Sequence, residues 1–400
     1  MTDLSGLLDD ARAVFPETVE LRRAIHRTPE IGLHLPVTQA TVLDAITGLG
    51  LAVRTGAEVS SVVAVLDGGR PGPTVLLRGD MDALPLREDT GLAFASTVDG
   101  AMHACGHDTH VAMLAGAARL LAGRRAELAG RVLLMFQPGE EGYHGARHML
   151  AEGLLEAAGG PVTAAFALHI TTQHASGTVN VRGGPQLAAA DVLRLTLTGR
   201  GGHASQPYSA NDPIPVACEI VTALQTMVTR RVSVLDPAVV TIAQVRAGTT
   251  NNIIPETAYL EGTVRTLSDQ TRAEVHGHIR RLAEGIAAAH EMTVKVDIEV
   301  GYPVTRNDPA FAAAVRAIAA EVLGDGAVTE PTAPVMGAED FSYVLARVPG
   351  AIAFLGGCPP DLIPGVAPPN HSNRVVFDDD AMVAGVATYA AVALHHLTPA

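Results

Sequence analysis

The chain has no tryptophan, and aromatic residues make up only 4% of its 400 positions. That scarcity suits an alanine-rich α/β enzyme better than an aromatic-lined binding module. Cysteine is nearly as rare, since Cys105, Cys218 and Cys358 are too few and too scattered for a disulfide framework. A reducing compartment is the simpler reading, in which any cysteine with a task has a chemical one. Positive charge is in deficit too, with 28 Lys and Arg against 42 Asp and Glu and a formal net charge of -14. Neutralising phosphates needs the opposite balance, so no nucleic-acid partner is expected. The longest apolar run, Ala381 to Leu394, is interrupted by Gly385, Thr388 and Tyr389 and is shorter than the roughly 20 residues of a membrane span. It reads as a buried terminal helix started by Asp378, Asp379 and Asp380, and no membrane association is expected. The charged N-terminal stretch lacks the apolar core of a secretory signal, which points to the cytoplasm.

What is present is enough to build a large core. Hydrophobic residues are 48% of the chain and charged residues 18%, and the length suggests two or three structural domains. In the first part, doubly apolar strand-like runs (SSVVAVLDG, PTVLLRGDMDALP, RVLLMFQPGEE, VTAAFALHI) alternate with helical stretches. That pattern predicts an α/β domain whose parallel or mixed sheet is covered on both faces. In the middle the strands alternate apolar and polar, as at Leu193, Leu195 and Leu197, with helices predicted over 213–232 and 268–290. The order β-α-β-β-α-β describes a ferredoxin-like α+β unit inserted into the first domain. The expected division is 1–186 with 301–400 for the discontinuous domain and 187–300 for the insert.

The densest chemistry lies in Met102-His103-Ala104-Cys105-Gly106-His107-Asp108, which ends a loop and opens a helix. A turn at Gly106 can aim the Cys105 thiolate and His107 imidazole at one point, with Asp108 capping the helix, so the pair could hold a metal. A free thiol beside incidental histidines fits Cys-x-His equally well. Glu140 and Glu141 follow an apolar strand, at the sheet edge where α/β proteins bind ligands. Adjacent carboxylates stay useful when one binds a cation and the other serves as a base. A solvated acidic turn is the plainer alternative. His169 ends another strand, His371 lies in the loop before the last helix, and Asp82 is placed to orient a ligand histidine.

The set RGDMDALP, MHACGHD, QPGEEG, GRGGHAS, NNIIPE, GTVRT, MGAEDFS and NHS resembles the binuclear-metal hydrolases that include hippurate hydrolase, N-acyl-amino-acid amidohydrolases and auxin-conjugate hydrolases, relatives of aminoacylase and carboxypeptidase. The resemblance runs from about Leu21 to His395. It implies a mixed-sheet di-metal hydrolase domain in which Cys105, His107, Glu141, His169 and His371 hold two divalent metal ions. Glu140 is then the general acid/base. The insert becomes a lid and dimerisation domain, with His203 and Asn252 near the substrate carbonyl and Arg265 facing a substrate carboxylate. More distant peptidases have a bridging Asp where this chain has Cys105, which matches the amidohydrolase branch. Taken alone, His203 reads as a surface-loop histidine and Arg265 as a solvated strand residue. Cys218 and Cys358 read as inert thiols, and His110, His144, His148 and His174 receive no role.

The expected activity is hydrolysis of an N-acyl amino acid to a carboxylate and a free amino acid by a homodimer or higher oligomer. Zinc or manganese is the expected metal, with cobalt and nickel compatible. The rivals are a dipeptidase or carboxypeptidase on the same metals and a catalytically silent ligand-binding homologue. A nucleotide-binding enzyme lacks support, because there is no GxGxxG or phosphate loop.

Overall fold

The structure is a computed structural model that describes residues 4–398. The chain divides into two compact units. One holds the described residues through Gln186, Arg306–Ala333 and those from Asp340 onward; the other holds Leu187–Thr305 and Pro334–Glu339. Residues 301 and 302 stay with the insert because the Gly301 N–H donates to Asp191 (3.0 Å) and the Tyr302 carbonyl accepts from Ala190 N–H (3.1 Å). The short Pro334–Glu339 segment joins it through the Ala188 N–H, which donates to the Gly337 carbonyl at 2.8 Å.

The first unit is built on an eight-stranded mixed sheet. Its order is Ala52–Thr55, Val62–Asp67, Ala129–Gln137, Arg70–Asp80, Val162–Ala175, Gly350–Cys358, Val179–Asn180 and Val328–Thr329. The four central strands are parallel. They read as nearly continuous Val, Leu, Phe and Ala because both faces are covered. Helices Leu7–Arg27, His107–Gly123 and Ala381–His396 pack on one another as one layer of the core. The terminal helix is buried on almost every side, which explains an apolar run with no polar stripe. At Gly385 an added Cβ would lie 2.0 Å from Met113 Sδ, so a larger residue there would have to displace the Met113 side chain where the last helix approaches His107–Gly123. The acids before that helix do not cap it with a side chain. Asp379 instead accepts from Arg22 and Arg23, and Asp378 accepts from Ser176.

The second unit is a four-stranded antiparallel sheet in the order Ala238–Ala247, Thr257–Thr266, Ala189–Thr198, Thr293–Val300. Helices Pro213–Arg231 and Asp269–Ala289 complete the β-α-β-β-α-β order. Leu193, Leu195 and Leu197 are buried beneath the helices' Val216, Ile220, Leu224, Val275 and Ile279, while intervening strand residues remain partly exposed. The period-two alternation of the strands and the apolar stripes of the helices therefore meet in one core.

Candidate metal centre

Two of the parallel strands, Arg70–Asp80 and Ala129–Gln137, end at one level, whereas Val162–Ala175 runs on, so His169 lies within its strand and not at the strand end expected from the sequence. Asp80 pairs in register with Gln137, and Arg78 pairs with Ala167, two residues before His169. The turn carrying Glu140 and Glu141 starts where Ala129–Gln137 ends, and Cys105 and His107 stand at the N-terminal end of helix His107–Gly123. Gly106, with φ 86, makes the turn between them. A Cβ there would meet Ile170 Cγ2 at 2.4 Å, so the approach of the two loops is closed to any larger residue. Asp108 is not the helix cap expected from its position. Gly106 is the cap residue, and the Asp108 carboxylate accepts from Arg22 Nε (2.9 Å) and His26 Nδ1 (2.8 Å) in the buried interior.

Two donor groups share one thiol. Cys105, His107 and His169 can each offer an atom within 4.8 Å of the others, and so can Cys105, Glu141 and His371. Backbone carbonyls set the imidazoles for this purpose. His107 Nδ1 donates to the Asp82 carbonyl and His169 Nδ1 to the Ile170 carbonyl, both at 2.8 Å, which reserves each Nε2 for a cation in the neutral ring. His107 Nε2 is buried with no hydrogen-bond partner, and His169 Nε2 lies 3.4 Å from Cys105 Sγ. His371 Nε2 is 3.1 Å from Glu141 Oε1. A buried imidazole nitrogen without a partner, facing a thiol and a carboxylate, is what a soft-to-borderline divalent cation would complete.

The protonation of these groups follows from their crowding. Burial pushes His169 down to about 3, reinforced by His110, so its ring is neutral and able to ligate. Burial also opposes charge on His107, but Asp80 and Cys105 outweigh it and hold the ring well above its ordinary value. Cys105 and Glu141 hold His371 up at about 10, while burial and the Glu141 carboxylate raise the Cys105 thiol. A cation entering this cluster must therefore displace protons.

Asp82 contacts the histidine it was expected to orient and does more besides. Its main-chain carbonyl accepts from His107 Nδ1 at 2.8 Å with the carboxylate Oδ1 3.5 Å from the same nitrogen, and that carboxylate also accepts from the backbone N–H of Glu140 (2.9 Å) and of Glu141 (3.0 Å). Glu140 is buried, and its Oε1 accepts from the Asp340 N–H at 3.3 Å.

Several supporting residues escaped the sequence reading. His110 Nδ1 donates to Asp80 (2.5 Å), and its Nε2 accepts from the Ile170 N–H (2.8 Å), so this histidine braces the ligand loops with both nitrogens engaged. Asn370 donates to the carbonyls of Cys105 (3.1 Å) and Ile170 (3.0 Å), tying the loop of His371 to those of Cys105 and His169. Its place beside His371 was the available signal. Asp340 accepts from Gln137 (2.7 Å) and from the Ala146 N–H (2.9 Å), and only its position in MGAEDFS pointed to it.

In the insert, His203 and Asn252 lie together. His203 is paired with Ile253 in a two-stranded ribbon, and the Ala204 N–H donates to the Asn252 carbonyl at 3.0 Å. His203 Nδ1 accepts from the Ser205 N–H (3.1 Å), which puts the ring proton on the exposed Nε2. Arg265 is not with them. It lies near the far end of Thr257–Thr266, eight residues beyond Thr257 and thus about 26 Å along the strand. Among the described residues no helix is long and apolar enough to cross a membrane.

The model of peptidase family M20/M25/M40 matches residues 76–395. Thermostable carboxypeptidase 1 of Saccharolobus solfataricus is 36% identical over 97% of both chains. N-acetylcysteine deacetylase of Bacillus subtilis is 38% identical over 86% of this chain and 89% of its own. The crystal structure of the Bacillus subtilis YXEP protein, described as a dinuclear metal binding peptidase of the M20 family, superposes with a TM-score of 0.83 at 33% identity, covering 96% of this chain and 99% of that one.

Proposed function

This chain belongs to peptidase family M20/M25/M40, and from that premise we propose that it hydrolyses the amide bond of N-acyl amino acids, releasing a carboxylate and a free amino acid. The observation that carries the reading is the pair of donor groups sharing Cys105, with the buried Glu140 carboxylate beside them. Cys105, His107 and His169 would hold one divalent ion and Cys105, Glu141 and His371 the other; zinc or manganese suits this mixture of sulfur, nitrogen and oxygen, with cobalt or nickel compatible. Two such ions would supply Lewis acidity, polarising the amide carbonyl and making water a competent nucleophile near neutral pH. Glu140 takes the proton of the attacking water and delivers it to the leaving nitrogen as the C–N bond breaks. Asp82 orients this step indirectly, because it anchors the backbone of both glutamates. The free thiols fit a reducing, cytoplasmic setting.

His203, Asn252 and Arg265 complete the site from the insert, acting as a lid. The proton on His203 Nε2 suits it to donate to the developing oxyanion, and Arg265 suits a substrate carboxylate. Arg265 lies about 26 Å along its strand from Thr257, the end nearer in the chain to Asn252, so residues at the two ends of the insert suit two different active sites better than one small substrate. A homodimer meets this requirement, with His203 of the partner subunit reaching the site that Arg265 serves. Co-expression of differently tagged E140Q and H203A chains tests it: the purified heterodimer should regain activity that neither parent has, and an inactive heterodimer or a monomeric protein would refute it.

Carboxypeptidase activity is the second reading, favoured by the 36% identity to the Saccharolobus carboxypeptidase. Metal analysis with a panel of N-acetyl, N-benzoyl and long-chain acyl amino acids against dipeptides separates the two. Two metals per chain and faster cleavage of the acyl amino acids are expected. Faster dipeptide cleavage would select the second reading, and intact metal without turnover would select a silent homologue.

A further inference from the structure

Large aliphatic side chains that remain in water are concentrated in one loop of the first unit. Leu362 is 39% exposed, Ile363 69% and Val366 78%, all within five residues. An exposed apolar cluster of this kind is a candidate contact surface, as is the adjacent pair Val234 and Leu235 in the insert. The loop that carries it is rigid. Five prolines, Pro359, Pro360, Pro364, Pro368 and Pro369, fall in eleven residues and limit its backbone freedom. Internal turns close it, with the Leu362 N–H donating to Pro359 O at 3.0 Å and the Val366 and Ala367 N–H groups donating to Ile363 O at 3.0 and 2.9 Å. Ile363 and Val366 are therefore held outward by an ordered scaffold.

The scaffold is fastened to the metal centre on two sides. Thr172, three residues beyond His169, donates through Oγ1 to Pro368 O at 2.9 Å and accepts at its carbonyl from the Gly365 N–H at 3.4 Å. At its other end the loop runs into Asn370 and His371, whose N–H donates to Ala104 O at 2.9 Å. Val366 stands five residues before His371 on the same loop, which puts this apolar surface close in the chain to a residue that would hold a metal beside the reacting carbonyl. An N-acyl amino acid has one end with a carboxylate and one without charge. The loop carries a single ionisable residue, the exposed Asp361, whose negative charge disfavours the carboxylate end.

We propose that Ile363 and Val366 bind the acyl chain and make the enzyme selective for long apolar acyl groups over acetyl. The proposal rests on the amide-hydrolysis reading and specifies its substrate class. Water leaves both partners when an alkyl chain lies along the loop, and the preformed loop loses little freedom in the process.

The test compares kcat/KM for N-octanoyl and N-acetyl derivatives of one amino acid in wild type and in the double variant I363S/V366S, with metal content measured in both. The wild type should favour the octanoyl substrate by about tenfold or more, and the double variant should lose about tenfold of that preference, chiefly through KM. Competitive inhibition by octanoate should weaken by a similar factor. An unchanged ratio, an equal fall for both substrates, a wild-type preference for acetyl, or a loss of metal from the variant would each overturn the role of the loop. Failure of the wild type to cleave either substrate would instead remove the amide-hydrolysis reading, and the loop's role with it.

Discussion

Replacing Asp82 by Asn separates the two halves of the candidate centre. The change preserves shape but replaces one carboxylate oxygen with an amide NH2. Asp82 now uses its two oxygens on the N–H groups of Glu140 and Glu141, at 2.9 and 3.0 Å. Asn can satisfy only one, and its NH2 must point at the other. A hydrogen bond to a charged group contributes about 1.5–3 kcal/mol, so the turn is destabilised by roughly that amount. At about 1.4 kcal/mol per factor of ten, the ion held by Glu141 and His371 should bind roughly 10–100-fold more weakly. The His107 half should weaken less, because the main-chain carbonyl of residue 82, which the substitution leaves in place, still holds His107 Nδ1 at 2.8 Å, closer than the lost carboxylate charge at 3.5 Å. Titration of metal-free protein with zinc in a chelator buffer resolves the two affinities. One class should weaken by that factor and the other should change less than about threefold. Two unchanged affinities, or equal weakening of both, would refute the assignment of Asp82 to the glutamate turn.

The Glu140 and Glu141 roles predict opposite phenotypes: E140Q should retain both metals with turnover reduced by at least about 10²-fold, whereas E141Q should lose one ion, and metal analysis beside initial rates would expose a reversal. C105S should weaken both ions because the thiol belongs to both donor groups, while C218S, at an exposed position, should leave metal content unchanged, as elemental analysis would show. The insert should lose stability in acid. Hydrogen bonds from His276 and Arg272 overcome burial and hold Asp191 down at about 2, so its stabilisation is present above about pH 4 and disappears as pH falls toward 2. Allowing for solvent around His276, the effect is about 1–2 kcal/mol. Urea unfolding by circular dichroism should show D191N less stable than wild type at pH 5, with the gap closing near pH 2; a pH-independent gap would refute the ion pair as its cause.

Much of the fold was legible because local patterns carry it. Doubly apolar strands announced a covered parallel sheet, and the alternation at Leu193, Leu195 and Leu197 announced a half-open antiparallel one. Helix bounds at Pro309–Leu323 and Pro213–Arg231 follow N-terminal Asp-Pro signals that the chain itself contains. The donor residues were equally visible as chemically distinctive side chains, although His169 lies within the strand Val162–Ala175 and not at its end.

Partnership was not visible. Nothing in the order of residues says that Asp82 would hold His107 by its main chain and the glutamates by its side chain. Nor does it distinguish His110, which braces Asp80, from His107, whose Nε2 is left without a partner. Asp108 looked like a helix cap but was drawn into an ion pair by Arg22, 86 positions away. Sequence by itself determined which groups could do chemistry and which elements would carry them, since side-chain type and periodicity are local properties. Which lone pairs remained free, which carboxylate became an anchor and which aliphatic side chains stayed in water were decided only by the tertiary structure, because hydrogen-bond partners and burial are set by segments distant in the chain.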